Sequence, residues 1–261
     1  MVLEENLLKR LIQQVESSGI QISEEQTEKF TAYYELLEEH RKKANLTAIT
    51  GIDQVRDELF LRSLGVAAAL NQAERNRSLG TQSGLIDVGT GAGFPGLPLA
   101  IVFPIKRVTL LDSTQKKTRF LNLVVKTLKL DQVEVINDRA EVLAHSNEHR
   151  ESYDLVVSRA VASLPELAEL TLPFCKIGGM SVALKGSDVR QESLSAATAT
   201  GQVGASTAQL RSVTIGARAE LDTAVVWRKV FPTPAQFPRR NGIPHKRPLG
   251  VSMPSNPKVG V

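Results

Sequence analysis

One stretch constrains this chain more than any other: Leu85-Ile-Asp-Val-Gly-Thr-Gly-Ala-Gly-Phe-Pro-Gly-Leu-Pro98, where an apolar run ends in an acid and four glycines follow within eight residues. Leu85, Ile86 and Val88 have the character of a buried strand, while Gly89, Gly91, Gly93 and Gly96 permit positive φ and close approach of backbone to a ligand. Pro95 suits the first turn of a following helix, where its missing N–H costs nothing. The spacing Gly91-x-Gly93-x-x-Gly96 matches the dinucleotide fingerprint, a weak signal by itself, with a bare strand-to-helix turn as the lesser alternative. The rest of the chain has to decide.

From Leu85 to Gly186 the pattern alternates as in an α/β, doubly wound Rossmann-like domain with a mostly parallel sheet. Strands are predicted at Leu85–Val88, Val108–Leu111, Val133–Ile136, Asp154–Ser158 and Met180–Lys185, with helices near Pro95–Phe103, Thr114–Lys129 and Ser163–Phe174. Gly178-Gly179 reads as the tight return into the fifth strand. The Ser-, Ala- and Thr-rich stretch from Ser187 to Gly216 predicts a loosely packed helix and a long loop. Ser212–Ile215 and Ala224–Val230 are then close enough to pair as an antiparallel edge hairpin.

The first eighty residues predict a small helical region. Leu7, Leu8, Leu11, Ile12 and Val15 recur at helical spacing up to Gly19. Ser23-Glu-Glu-Gln26 has the form of a capping box, opening a helix with Phe30, Tyr33, Tyr34 and Leu37 on one face and His40-Arg-Lys-Lys43 at its end. A third helix spans roughly Gln54 to Leu70, and the polar run Asn71–Gly84 reads as a linker. The expected division is therefore 1–80 helical, 81–230 catalytic and 231–261 a basic, Pro-rich tail.

At 261 residues with 42% hydrophobic residues, the chain can bury one substantial core. Its one cysteine, Cys175, excludes an internal disulfide and reads as a buried small hydrophobe. The amino terminus lacks a basic-then-apolar secretory pattern and no run is long enough to span a bilayer, so a cytoplasmic protein without membrane contact is expected. The net charge of +4 is unevenly spread: no acid follows Asp222, whereas Arg228, Lys229, Arg239, Arg240, Lys246, Arg247 and Lys258 do. That is a mobile cationic tail suited to a phosphate backbone, or a solubilising one. His145 and His149 have metal-like spacing but sit in a polar stretch without a third ligand, so they read as surface residues and no metal is expected.

Local charge separates the nucleoside ligands that such a sheet can hold. A dinucleotide brings a pyrophosphate, which Asp87 ahead of the glycines would repel; S-adenosylmethionine brings an ammonium and a sulfonium, which Asp87 suits. Asp112 closes the second strand, where a carboxylate can accept both ribose hydroxyls or cap the next helix. Asn137-Asp-Arg-Ala-Glu141, after the third strand, offers groups for the adenine edge or forms a charged loop.

Four stretches together resemble one family: Asp87 to Leu99, Leu-Leu-Asp-Ser-x-x-Lys-Lys-x-Arg-Phe-Leu from Leu110 to Leu121, Val-Ser-Arg-Ala from Val157 to Ala160, and Ala-Leu-Lys-Gly from Ala183 to Gly186. Asn45-Leu-Thr-Ala-Ile-Thr50 and the ending Phe237-Pro-Arg-Arg-x-Gly-x-Pro-x-Lys-x-Pro-Leu249 are similar to the same family, RsmG (GidB, glucose-inhibited division protein B). The resemblance implies a class I S-adenosylmethionine-dependent methyltransferase acting on guanine N7 in bacterial small-subunit (16S) ribosomal RNA, with that RNA or a ribosomal particle as partner. Nothing in the sequence requires more than a monomer.

Carried over by position, the resemblance places Gly89, Phe94, Ala140, Glu141 and Arg159 at the cofactor, beside Asp87, Gly91, Gly93 and Asp112. It puts Arg139 and Arg159 where cofactor and RNA meet, as positioning residues. Lys116, Lys117, Arg239, Arg240, Lys246 and Arg247 are the expected RNA contacts, with Lys185 a weaker candidate. Two departures stand out. Where the family shows Arg/Lys-His-x-x-Asp-Ser-Leu, this chain reads Glu58-Leu-Phe-Leu-Arg-Ser-Leu64, so Leu59 and Arg62 replace a His and an Asp; and a late arginine is replaced near Asp222. Two rival readings follow: a ribosome-assembly factor on the same fold without turnover, and a nicotinamide-dependent dehydrogenase.

Overall fold

The computed structural model describes residues 10–159, 162–186, 189–215 and 222–251; Leu7, Leu8, Ala160 and Lys258 lie outside the described residues. Seven strands form one sheet: β1 (Gly84–Val88), β2 (Arg107–Leu111), β3 (Val133–Ile136), β4 (Tyr153–Arg159), β5 (Cys175–Lys185), β6 (Gln209–Ser212) and β7 (Thr223–Arg228). Their order is β3-β2-β1-β4-β5-β7-β6. The first five run parallel, and β7 is antiparallel to both β5 and β6. Central strands are largely buried on both faces because helices cover both, and they are mostly apolar, with Asp87, Thr109 and Ser158 as buried polar exceptions. The order reverses between β1 and β4, which opens a crevice at the carboxyl ends of those strands.

The helices are α1 (residues 10–16), α2 (Glu24–Ala44), α3 (Ile52–Gln54, a π-helical turn Val55–Leu61, and Arg62–Ala68), α4 (Gln72–Ser78), α5 (Gly96–Val102) and α6 (Gln115–Thr127). After them come α7 (Ala140–Leu143), α8 (Leu164–Thr171), α9 (Arg190–Ser195), α10 (Ala197–Gln202) and α11 (Ile243–Lys246). The predicted capping box on α2 is present, with Ser23 and Gln26 bonded reciprocally, and Phe30, Tyr33 and Leu37 are buried as expected. Tyr34 is only half-buried. The wide π turn of α3 buries Leu59, Phe60 and Leu61 together. One hydrophobic core runs from Phe30, Tyr33 and Phe60 into Leu85, Phe94 and Leu97, so the helical region and the sheet share it.

Several expectations are corrected. The polar run after residue 70 is not a linker: Asn71 and Glu74 cap α4 reciprocally. Glu74, buried, then receives Arg211 at 2.6 Å and also Arg228, tying α4 to the sheet edge. The edge strand lies three residues earlier than predicted, at Gln209–Ser212, because Val213 and Ile215 turn inward beneath Gly65. In place of a loose helix, α9 and α10 pack Ala196, Ala199 and Val203 against α8. Gly178-Gly179 falls inside β5 rather than before it.

As far as residue 251, the last one described, the tail does not leave the domain. Phe237 and Leu249 are buried beside Leu167 and Trp227, and Arg150 donates to the carbonyls of Phe237 and Thr233 at 2.9 and 2.8 Å. Arg239 grips the fully buried Glu169 through its backbone amide at 2.8 Å and its guanidinium at 2.8 and 2.6 Å. Cys175 is buried as expected, and burial pushes its thiol up to about 12.

Candidate cofactor and active site

The glycine turn lies over the end of β2, where the amides of Gly89 and Thr90 donate to Leu111 O at 2.9 and 3.0 Å. Gly89, Gly91 and Gly93 have φ of 72°, 64° and 109°, a region that favours glycine. Gly96 serves by its small size: a Cβ there would lie 2.5 Å from Leu110 and 2.9 Å from the Asp87 carboxylate. That closeness lets Asp87 Oδ2 accept from the Gly96 amide and the Thr90 hydroxyl, both at 2.7 Å.

Asp87 is wholly buried beneath the turn, and its Oδ1 has no hydrogen-bond partner. Burial raises its carboxyl to about 7, against the opposing pull of the Thr90 and Gly96 bonds and of Arg159. The acid that sequence reading aimed at a cationic ligand therefore also staples the turn, with one oxygen left over.

Beside the turn a cleft opens between the ends of β1, β2 and β3 and the face of α8. Gly89, Asp112, Ala140 and Glu141 all line it, so four of the predicted cofactor positions converge, together with the positioning residue Arg139. Asp112 holds the cleft's floor together: Oδ2 accepts from the Gly91 amide at 3.0 Å and Oδ1 from the Thr114 amide at 2.8 Å, while Lys117 stands 3.6 Å away. A carboxylate has about four acceptor sites, so capacity for ligand hydroxyls remains. Lys117 is thus partnered on the floor, whereas Lys116 is exposed.

Glu141 is 7% exposed and accepts from Gly242 N at 2.8 Å and Arg139 Nη2 at 3.4 Å. Burial would raise its carboxyl, but the Gly242 amide and Arg139 outweigh it and hold the group below the usual range. Arg139 itself is half exposed on the rim.

Phe94 and Arg159 are not among the residues that line this cleft. Phe94 is buried, stacked on Tyr33 at 5.3 Å between ring centroids, and the Arg159 guanidinium lies over its ring, 5.2 Å from the centroid. Arg159 also donates to Glu58 O at 3.0 Å, and its own pKa falls to about 10 through burial and the nearby Arg62. Arg139 and Arg159, expected on one rim, flank the turn separately. Tyr33, read as core, does more: its hydroxyl donates to Ala92 O inside the turn at 2.6 Å.

Sequence reasoning missed Glu166, Leu167, Leu170 and His245 as cleft residues. Glu166 and Leu170 fall on the same face of α8, one turn apart, but His245 had no local signal at all. Among the RNA candidates, Arg239 is engaged with Glu169, while Arg240, Lys246 and Arg247 are exposed. Lys185 is taken by Ala162 O at 2.8 Å and Glu192 at 3.1 Å. His149 is buried against Tyr153, 2.6 Å from its hydroxyl, correcting the surface reading; His145 faces Pro238 O at 2.8 Å instead. Among the described residues no group of three or more His, Cys, Asp or Glu could hold a metal.

The donor set discriminates between ligands. Asp112, Asp138, Glu141 and Glu166 put four carboxylates around a cleft whose apolar walls are Val88, Leu111, Leu167 and Leu170. Acids suit a cationic nucleoside and oppose a pyrophosphate, which argues against the dehydrogenase reading. Solved structures of similar fold include an adenosylmethionine-dependent methyltransferase from Aquifex aeolicus (18% identity, TM-score 0.50, 68% of this chain and 94% of that one). Geranyl diphosphate C-methyltransferase from Streptomyces coelicolor A3(2), solved with S-adenosyl-L-homocysteine, is another (14%, TM-score 0.51, 74% and 81%). These likenesses show a Rossmann-like fold of the kind those methyltransferases share.

Sequence comparison narrows the class. Residues 26–220 match the GidB family, rRNA small subunit methyltransferase G. Ribosomal RNA small subunit methyltransferase G of Dehalococcoides mccartyi is 40% identical over 242 residues, covering 93% of this chain and 100% of that protein. The Roseiflexus castenholzii protein of the same name is 42% identical over 233 residues, 89% and 96%. The chain belongs to the GidB family of small-subunit rRNA methyltransferases.

Proposed function

We propose that this enzyme methylates N7 of a guanine in small-subunit ribosomal RNA, in the cytoplasm, with the cleft beside Gly89 as its donor site. The observation that carries the reading is the convergence of Gly89, Asp112, Arg139, Ala140 and Glu141 on one acid-lined cleft at the reversal of strand order. S-adenosylmethionine supplies an electrophilic methyl group when bound. Asp112 is suited to the ribose hydroxyls, the apolar walls to the adenine, and Asp87 to the positive methionine end.

Guanine N7 offers a lone pair and no proton, so the residues need only align nucleophile and methyl; no general base is assigned. Arg159, whose guanidinium lies over Phe94 of the turn, is assigned to orient the incoming base by stacking or by a phosphate contact, and Phe94 to the donor side. Arg139 on the rim and the exposed Lys116, Arg240, Lys246 and Arg247 supply positive charge for the RNA backbone.

Small-subunit RNA from cells lacking the gene, mapped by borohydride and aniline cleavage, should lose one N7-methylguanine signal, and purified enzyme should restore it with labelled donor. An unchanged cleavage pattern would overturn the substrate assignment. Naked RNA and subunit particles, assayed in parallel, identify which one the enzyme accepts. Restored methylation would also exclude an assembly factor without turnover.

A further inference from the structure

We propose that the C-terminal segment from Phe237 to Leu249 is a wall of the methyl-donor pocket, with His245 touching the bound donor. The inference rests on the cleft described above being the donor site. Three contacts fasten the segment around that cleft, and each uses a different acid. Arg239 is clamped on Glu169 of α8, a carboxylate with no solvent exposure. Three residues later Gly242, at φ 75°, turns its amide onto Glu141 at 2.8 Å. His245 then reaches Glu166 Oε2 with Nδ1 at 3.2 Å, and both side chains line the cleft with Gly89 and Asp112.

These contacts make the segment a strap across the mouth rather than an arm. Glu141 is buried and accepts from the Gly242 amide of the strap as well as from Arg139 and its own backbone amide, so the strap supplies one of the bonds that aim it into the cleft. The His245 side chain is 78% exposed although it lines a pocket, the condition of a side chain that a ligand rather than the protein would cover. Because Arg240, Lys246 and Arg247 project from the same strap, donor and RNA would meet on one element. Linkage then requires reciprocity: if the docked strap improves donor binding, donor binding must stabilise the docked strap.

The test uses the full-length protein and S-adenosylhomocysteine without RNA. Titration calorimetry on wild type, Asp112→Ala, His245→Ala and Arg239→Ala is combined with limited trypsin digestion after Arg240 and Lys246. The expected results are a loss of at least tenfold in affinity for Asp112→Ala, three- to tenfold for His245→Ala and at least tenfold for Arg239→Ala. In wild type, the bound analogue should slow tryptic cleavage of the strap severalfold, a response that a purely structural strap would not give. If Asp112→Ala weakens binding but His245→Ala does not, and the analogue leaves strap cleavage unchanged, the strap is no part of the site. If Asp112→Ala also binds as wild type, the donor-site assignment itself fails. The exposed His245 decides the matter even should Arg239→Ala fold poorly.

Discussion

Arg62 on α3 donates from Nε to Asp222 Oδ2 at 2.7 Å and from Nη2 to Oδ1, a bidentate pair between residues 160 positions apart. Its remaining nitrogen reaches Glu58 at 3.0 Å. The contact therefore joins the two stretches at which the sequence departs from the resemblance, Glu58–Leu64 and the residues near Asp222. The contact ties the π-helical segment beside Arg159 to the start of β7.

Breaking the pair should cost about 2 kcal/mol, between the values for exposed and buried ion pairs, since Asp222 is largely covered and Arg62 less so. Arg62→Asp should be worse than Arg62→Ala because it faces Glu58 and Asp222. Exchanging the charges in Arg62→Asp/Asp222→Arg should recover at least half the loss, read by urea unfolding. Equal instability of the double and single variants would mean that the pairing does not matter.

Asp87 should make both stability and donor affinity pH-dependent. Its folded pKa of about 7 exceeds the ordinary 3.8, so between those values the native state keeps a proton that the unfolded chain has released. Its contribution is complete below pH about 4 and is lost as pH rises through about 7, by an upper limit of about 4 kcal/mol. A cationic donor favours the ionised form, so affinity should rise as pH increases through the same range. Calorimetry in buffers of different ionisation enthalpy should show proton release on binding near pH 6.5. Asp87→Asn should abolish that release; its persistence would place the proton elsewhere.

What the sequence disclosed follows from the range of the interactions involved. The sheet was legible because β1, β2 and β4 are near-continuous apolar runs, and the glycine turn because Gly96 must lie against Asp87. The capping box at Ser23 is a four-residue event. By contrast, α4 looked like a linker because Glu74 becomes a buried residue only through Arg211 and Arg228, more than 130 positions away. The tail looked mobile for the same reason: Arg239 is a surface-like cation until Glu169, 70 residues earlier, is folded beneath it. His245 entered the cleft on that long-range clamp.

Tyr33 should act as a positioning residue for the donor turn. Tyr33→Phe keeps the stack on Phe94 but leaves Ala92 O without the 2.6 Å bond. The expected cost is about 1–2 kcal/mol in stability, the usual penalty for a buried acceptor left unpaired. Donor affinity should fall severalfold, while affinity for RNA alone should be unaffected. Should stability fall with donor affinity intact, the hydroxyl braces the fold but not the turn.

The exposed cations of the strap should govern the salt dependence of RNA binding. Arg240, Lys246 and Arg247 are exposed, whereas Arg239 is engaged with Glu169, so only three of the four predicted tail contacts are available to phosphates. Each phosphate contact contributes roughly 0.7–0.9 to the slope of log affinity against log salt. The triple variant Arg240→Ala/Lys246→Ala/Arg247→Ala should therefore flatten that slope by about 2 to 3 and weaken binding most at low salt. Filter binding of small-subunit RNA between 50 and 200 mM salt, roughly the range over which such contacts lose most affinity, provides the measurement. An unaltered slope would leave these residues as solubilising charge and move the RNA interface to Lys116 and Arg139 on the other lip of the cleft.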